Sequence, residues 1–263
     1  MLNVSQVSKT FFAGTVNERR ALVNVTLTMT SGDFVTVIGS NGAGKSTVLN
    51  TVAGRIIQDT GSVELEGRDV SKLKEHQRAA QVGRVFQDPM AGTSPNLTIE
   101  ENLSMADRRG RSRGLAMGVT RAKRERFAEA LQVLELGLED RLKTKVGLLS
   151  GGQRQALSLL MATFSNPKIL LLDEHTAALD PQRAELVTRL TKKVVEEQQL
   201  TTLMVTHNMA QALEVGNRLI MMHEGRIILE ASEDEKARMT PADLLAEFGK
   251  IKGAVVDDKT MLQ

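Results

Sequence analysis

The chain has 263 residues, 41% of them hydrophobic, which is enough for one large domain with a lobe or for two small domains. Lysine and arginine number 34 against 32 acidic residues, and the resulting net charge of +2 gives no general basic surface for nucleic acid. Cysteine is absent, which excludes disulfides and cysteine metal sites, and the four histidines (His76, His175, His207, His223) lack metal-ligand spacing.

The chain opens with "MLNVSQVSKTFFAG", whose alternation of polar and apolar residues predicts a strand and differs from the apolar run of a secretory leader. Val23, Val25, Leu27 and Met29 continue that period of two up to a Ser31-Gly32-Asp33 turn. Residues 1–32 are therefore predicted to form half-buried antiparallel strands at the edge of the fold. "FVTVIG" (34–39) is an unbroken apolar run, the pattern of a central strand covered on both faces. Similar runs recur at 169–173, 201–207 and 219–223, with helical patterns at 45–53, 151–164 and 182–198. Strands alternating with helices predict a parallel α/β sheet.

Between about 88 and 148 the texture changes, and Phe127, Ala130, Leu131 and Leu134 mark one apolar helical face. This segment is predicted to be a helical lobe inserted into the α/β domain. Thr240 and Pro241 read as N-cap and first residue of a C-terminal helix. The expected organisation is a single domain over 1–263. In it, 1–87 and 165–232 form an α/β core with an antiparallel edge, 88–164 forms the lobe and 233–263 a short helical tail. No run of about 18 apolar residues occurs, so no membrane-crossing helix is predicted and a cytoplasmic location is expected.

Four groups of residues carry chemistry. "GSNGAGKST" (Gly39, Ser40, Asn41, Gly42, Ala43, Gly44, Lys45, Ser46, Thr47) follows an apolar strand and opens a helix, the context of a phosphate-binding P-loop. Its backbone amides would wrap phosphates, Lys45 would reach the outer ones, and the Ser46 hydroxyl would face Mg²⁺. In "ILLLDEHTAALDP", Asp173 and Glu174 stand at the carboxyl end of a buried strand, where ligands of α/β sheets bind. With a P-loop in the chain they divide labour: Asp173 holds Mg²⁺ through a water and Glu174 polarises the attacking water. His207 ends another apolar strand at the same edge and would sense or hold the γ-phosphate. Finally, Ser150, Gly151 and Gly152 sit at the mouth of an apolar helix, offering unpaired amides and a positive dipole end to a second anion. A second trap in one chain predicts a second nucleotide or one shared across an interface.

Together these strings resemble the ATP-binding subunit of ABC transporters over nearly the whole length. "LSGGQ" (149–153, ending in Gln153) is similar to that family's signature motif, and "VFQDP" places Gln87 at its Q-loop glutamine. The resemblance implies a P-loop ATPase of ABC type with a mixed, mostly parallel sheet, binding ATP and Mg²⁺. It implies that two copies pair head to tail around two ATP, with Ser150 serving the partner's γ-phosphate. Phe11 matches the family's adenine-stacking aromatic, Phe12 being the other candidate, and the alternative for both rings is simple core packing. Gln87 would touch the metal or water and link the site to the helical lobe, and Asp180 would lie at the dimer seam. The sequence departs from the family pattern at His175, where proline is frequent, at Ala177, where serine is common, and in "ALSLLMAT", which lacks a common arginine.

The resemblance also implies a separate membrane permease, which residues 88–103 would contact, and location at the cytoplasmic face of the membrane. Import is the expected direction, with an extracellular solute-binding protein as an indirect partner and no nucleic acid. The alternative is a non-transport ABC ATPase of phosphonate-degradation, repair or translation type. The basic stretch 107–127 reads as a solvated helix face, or as a contact with anionic head groups or an acidic permease patch. "DEHTAALD" with "FQDPMAGT" resembles a subgroup of amino-acid uptake systems of tryptophan or tyrosine type, and the chain itself contains neither residue.

Overall fold

The computed structural model of the chain describes residues 1–110 and 118–252. The middle of the basic stretch and the end of the C-terminal tail lie outside the described residues. The chain divides into two compact units, one made of Met1–Lys74 with the chain from Thr201 onward, the other of Glu75–Leu200. Met1–Lys74 carries β1 (Leu2–Phe11), β2 (Arg19–Met29), β3 (Phe34–Gly39), α1 (Lys45–Val52), β4 (Thr60–Leu65) and β5 (Arg68–Asp69). Glu75–Leu200 carries α2 (Glu75–Arg78), β6 (Val82–Val85), α3 (Ile99–Asp107), α4 (Arg121–Gln132), α5 (Gly151–Thr163), β7 (Ile169–Asp173) and α6 (Pro181–Gln198). The chain then adds β8 (Thr201–Val205), α7 (Met209–Glu214), β9 (Arg218–His223), β10 (Arg226–Ala231), α8 (Glu233–Lys236) and α9 (Pro241–Lys252).

In the first unit, β2, β1, β4 and β5 form an antiparallel sheet in that order. Val25, Leu27 and Met29 are buried while Thr26 and Thr28 between them are exposed, so the period of two expected from the sequence is present. A second sheet runs β10-β9-β3-β8, with β9, β3 and β8 parallel and β10 antiparallel to β9. It is thus mixed and mostly parallel. Every residue of β3 is buried, as an unbroken apolar run predicts for a strand covered on both faces. Ile38, Met209, Ala212, Leu219, Met221, Leu244 and Phe248 pack into one cluster, so α7 and α9 help cover this sheet. The Thr240 hydroxyl accepts from the Asp243 amide at 3.3 Å and Pro241 starts α9, as the capping pattern predicts.

In the second unit β6 and β7 pair in parallel, with Val85 opposite Leu172. α5 is buried almost throughout, from Gln155 to Thr163. α4 presents Phe127 and Leu131 to the interior, and the Phe127 ring meets Phe164 edge-on at 5.5 Å. Arg124 with Glu100 (2.6 Å) and Lys123 with Asp107 (3.0 Å) join α4 to α3. The α4 face is the one the sequence pattern marks. That pattern does not pick out α3, although Thr98 and Glu101 form a complete capping box at its start. No helix among the described residues is long and apolar enough to cross a membrane.

Candidate functional site

The candidate phosphate cradle lies in the first unit, at the carboxyl end of β3. Gly39 pairs with Met222 of β9, and a Cβ on it would lie 2.4 Å from the Met222 carbonyl oxygen. Gly44 sits at φ +101 as the N-cap of α1, where a Cβ would lie 2.4 Å from the Ala21 oxygen. Only glycine fits either place. No side chain caps α1, so its positive end is open to an anion. Lys45 is 6% exposed, and its Nζ donates to the Gly39 oxygen at 2.7 Å and the Ser40 oxygen at 3.2 Å. Its ammonium therefore lies back across the loop it follows. Asn41 and Ser46 are exposed, Ala43 is buried and Thr47 is half-buried.

Outside supports hold this loop. Arg19 Nη2 donates to the Gly42 oxygen at 3.1 Å, and the Gly225 amide donates to the Ala43 oxygen at 2.9 Å. Gly225 belongs to the tight β9–β10 turn, in which Glu224 and Gly225 both have positive φ. Phe11 stands opposite Arg19 in the β1–β2 ladder, half-buried, with Lys9 Nζ 5.9 Å from its ring centroid. Phe12 is 69% exposed at φ +53, so it is not a core residue. His207 follows β8, whose Val205 pairs with Val37, and the Thr206 amide extends that ladder to the Val37 oxygen at 3.1 Å. The histidine thus reaches the same sheet edge as Gly39. The Asn208 side chain accepts the Gln211 amide at 2.9 Å, which turns the chain into α7 immediately after it.

The second unit brings together the other candidates. The parallel register Val85–Leu172 places Phe86-Gln87 and Asp173-Glu174 at the same ends of adjacent strands. Glu174 has φ +45, a left-handed turn that the Ala177 amide closes on its carbonyl at 2.9 Å. Arg84 Nη2 lies 3.1 Å from Asp173 Oδ2. α5 is tied to the same place, because the buried Gln155 donates through Nε2 to the Phe86 oxygen at 3.0 Å.

At the start of α5 the expectation of open amides needs correction in part. The Ser150 hydroxyl accepts from the Gln153 amide at 3.3 Å and the Gln153 side chain accepts from the Ser150 amide at 3.1 Å, a capping box that closes both. The amides open to an anion are those of Gly151 and Gly152. A Cβ on Gly151 would meet Leu179 at 3.4 Å and one on Gly152 would meet Arg183 at 3.3 Å. Asp180 caps α6 by accepting the Arg183 amide at 3.1 Å. The signature segment and Asp180 are therefore neighbours.

His175, at the family's proline position, is 1% exposed with Nε2 3.0 Å from the Thr191 hydroxyl oxygen. That hydroxyl spends its one proton on the Val187 carbonyl at 2.8 Å, so Nε2 must donate to it. Burial pushes its pKa down to about 4.

Among the described residues no three His, Cys, Asp or Glu side chains cluster as a metal cage. In the second unit, the Gln87 amide oxygen and the Asp173 carboxylate are donors of the kind that suit Mg²⁺, which takes few protein ligands and completes its shell with water and phosphate. The sequence pattern passes over Arg19, Arg84 and Gln155, whereas "MHEGR" already reads as the turn that holds Gly225. Those three side chains act through contacts that only the folded chain creates.

Comparisons with known proteins give the family. A family model described as ABC transporter matches residues 22–177. A tyrosine transport ATP-binding protein of Clostridioides difficile is 43% identical over 94% of this chain and 98% of its own length. A sulfate/thiosulfate import ATP-binding protein CysA of Yersinia pseudotuberculosis is 32% identical over 96% of this chain and 68% of its own. Among solved structures, a dimeric post-hydrolysis state of the ATP-binding cassette MJ0796 bound to ADP and Pi is 33% identical, with TM-score 0.76, covering 89% of this chain and 99% of that one. Cradle, carboxylates and signature helix thus occur on the matching fold, and the chain belongs to the ABC transporter family as one of its ATP-hydrolysing subunits.

Proposed function

We propose that two copies of this chain close around two ATP molecules and that closure and hydrolysis drive uptake of a small solute through a separate membrane permease. The observation that carries this reading is the incomplete nature of each copy's equipment. A phosphate cradle ends β3, while a second set of open amides, Gly151 and Gly152, starts α5 beside Asp180. The MJ0796 cassette is dimeric with ADP and Pi, which supports pairing here.

In this reading Gly39 to Thr47 wrap the phosphates of one ATP, and Phe11 stacks on its adenine. Lys45 leaves the Gly39 and Ser40 carbonyls for phosphate oxygens. Glu174 orients and polarises the attacking water, and His207 holds the γ-phosphate. Ser46, Gln87 and Asp173 would hold Mg²⁺, which supplies charge neutralisation for the phosphates. Ser150, Gly151, Gly152 and Gln153 complete the site of the partner copy, with Asp180 at the seam. Binding energy spent on closing the pair becomes mechanical work on the permease.

The chain works at the cytoplasmic face of the membrane. Residues 88–103 receive the permease, and an extracellular solute-binding protein acts upstream. We read the chain as one domain with an α/β core (1–87, 165–232), a lobe (88–164) and a short C-terminal tail (233–263). The relative named for tyrosine transport supports an aromatic amino acid as solute. Purification from native membranes tests this. A multi-span partner, with uptake of labelled tyrosine by vesicles carrying both, is the expected result. Soluble enzymes or ribosomes as partners would overturn it.

A further inference from the structure

We infer that Arg84 is an internal cation that competes with magnesium for Asp173 and so sets the metal concentration at which the subunit takes up nucleotide. The inference rests on the reading of Asp173 as a magnesium-side carboxylate. Arg84 lies on β6 and Asp173 at the end of β7, the strand parallel to it. Their side chains, 9% and 16% exposed, meet at 3.1 Å. The guanidinium carbon sits 4.6 Å from the Phe86 ring centroid, within cation–π range.

The rest of the fork is unsatisfied. Arg84 Nε and Nη1 are buried without a hydrogen-bond partner. A guanidinium with one acceptor in a buried place costs stability, and an apolar side chain over Phe86 avoids that cost. Its flanking positions Gly83 and Val85 are apolar and buried. What Arg84 adds that an apolar residue lacks is a positive charge held on one oxygen of Asp173. A carboxylate so paired attracts a second cation less strongly, because the fixed charge repels it at short range. A purely structural Arg84 would alter stability and leave the metal midpoint where it is.

Manganese serves as the probe, since its free form is read by electron paramagnetic resonance. The full chain carrying Glu174→Gln, to block turnover, is titrated with Mn²⁺ at fixed ATP, and chain-bound Mn²⁺ is taken as the excess over the same titration of that ATP without protein. Arg84→Gln should lower the Mn²⁺ midpoint about tenfold, the scale of one neighbouring charge. Arg84→Met, whose flexible thioether fills the slot over Phe86, gives the same readout where the glutamine variant folds poorly. Arg84→Lys keeps the charge and should stay within about threefold of the parent. In an Asp173→Asn background the difference between arginine and glutamine at position 84 should vanish, which assigns the effect to the pair. A midpoint that stays put or rises in both neutral variants overturns the inference while leaving the proposed function standing. No ATP-dependent Mn²⁺ binding by the Glu174→Gln parent would overturn the nucleotide reading, and this inference with it.

Discussion

Gln155 Nε2 donates to the Phe86 carbonyl at 3.0 Å, tying the helix that begins at Ser150 to the backbone just before Gln87. The helix that would serve the partner's nucleotide is thereby joined to the strand end that would serve the metal. Both residues lie in one compact unit, and the bond between them is part-buried.

Gln155→Leu removes that donor and leaves the Phe86 carbonyl without it. Loss of a buried hydrogen bond of this kind costs about 1–3 kcal/mol. Denaturant unfolding should show a lower midpoint with an unchanged slope. An unaltered midpoint would mean that the bond contributes nothing to the fold.

His175 gives the fold an acid dependence whose sign is fixed by burial. The unfolded imidazole takes a proton near pH 6.5, the folded one only near pH 4. Between those values the unfolded chain holds more protons, so stability falls as pH drops from 6.5 toward 4, by about 3 kcal/mol in all. Above pH 6.5 the residue adds no pH dependence. His175→Leu, which leaves the Thr191 hydroxyl on the Val187 carbonyl, should remove this component from unfolding curves recorded across that range. Equal acid sensitivity in both proteins would refute the assignment.

Gly44→Ala tests the cradle. Its Cβ would lie 2.4 Å from the Ala21 oxygen, on a backbone at φ +101 that side chains rarely adopt. Strain of this type costs of order 1–3 kcal/mol for the backbone alone, and the clash adds to it. Calorimetry should show a lower melting temperature, and a fluorescent ATP analogue should bind at least tenfold more weakly, equivalent to about 1.4 kcal/mol. Binding at parental strength would show that the loop needs no glycine there.

Much of this was legible in the sequence. Val25, Leu27 and Met29 announce an edge strand by alternation, and the wholly apolar β3 announces a central one, because burial on one face or two leaves different periods. The P-loop, Asp173-Glu174 and His207 declare themselves by standing where apolar strands end. β4 and β6 escaped because short strands carrying Gly61 or Gly83 and Arg84 lack a clear period. α3 escaped although its capping box is written in Thr98 and Glu101. The partners of Arg84 and Gln155 could not be read, since Asp173 lies 89 residues from the one and Phe86 lies 69 residues from the other in sequence. At Ser150 local chemistry misled, because the side chain of the glutamine that completes the signature closes the Ser150 amide, and the Ser150 hydroxyl closes that of Gln153.

Sedimentation of the Glu174→Gln chain with and without ATP tests the shared-site account most directly. The account predicts a monomer without nucleotide and a dimer holding two ATP with it, and a monomer that still binds ATP when Ser150→Arg is added. A Glu174→Gln chain that stays monomeric at saturating ATP, or a Ser150→Arg chain that dimerises as well as its parent, would contradict it.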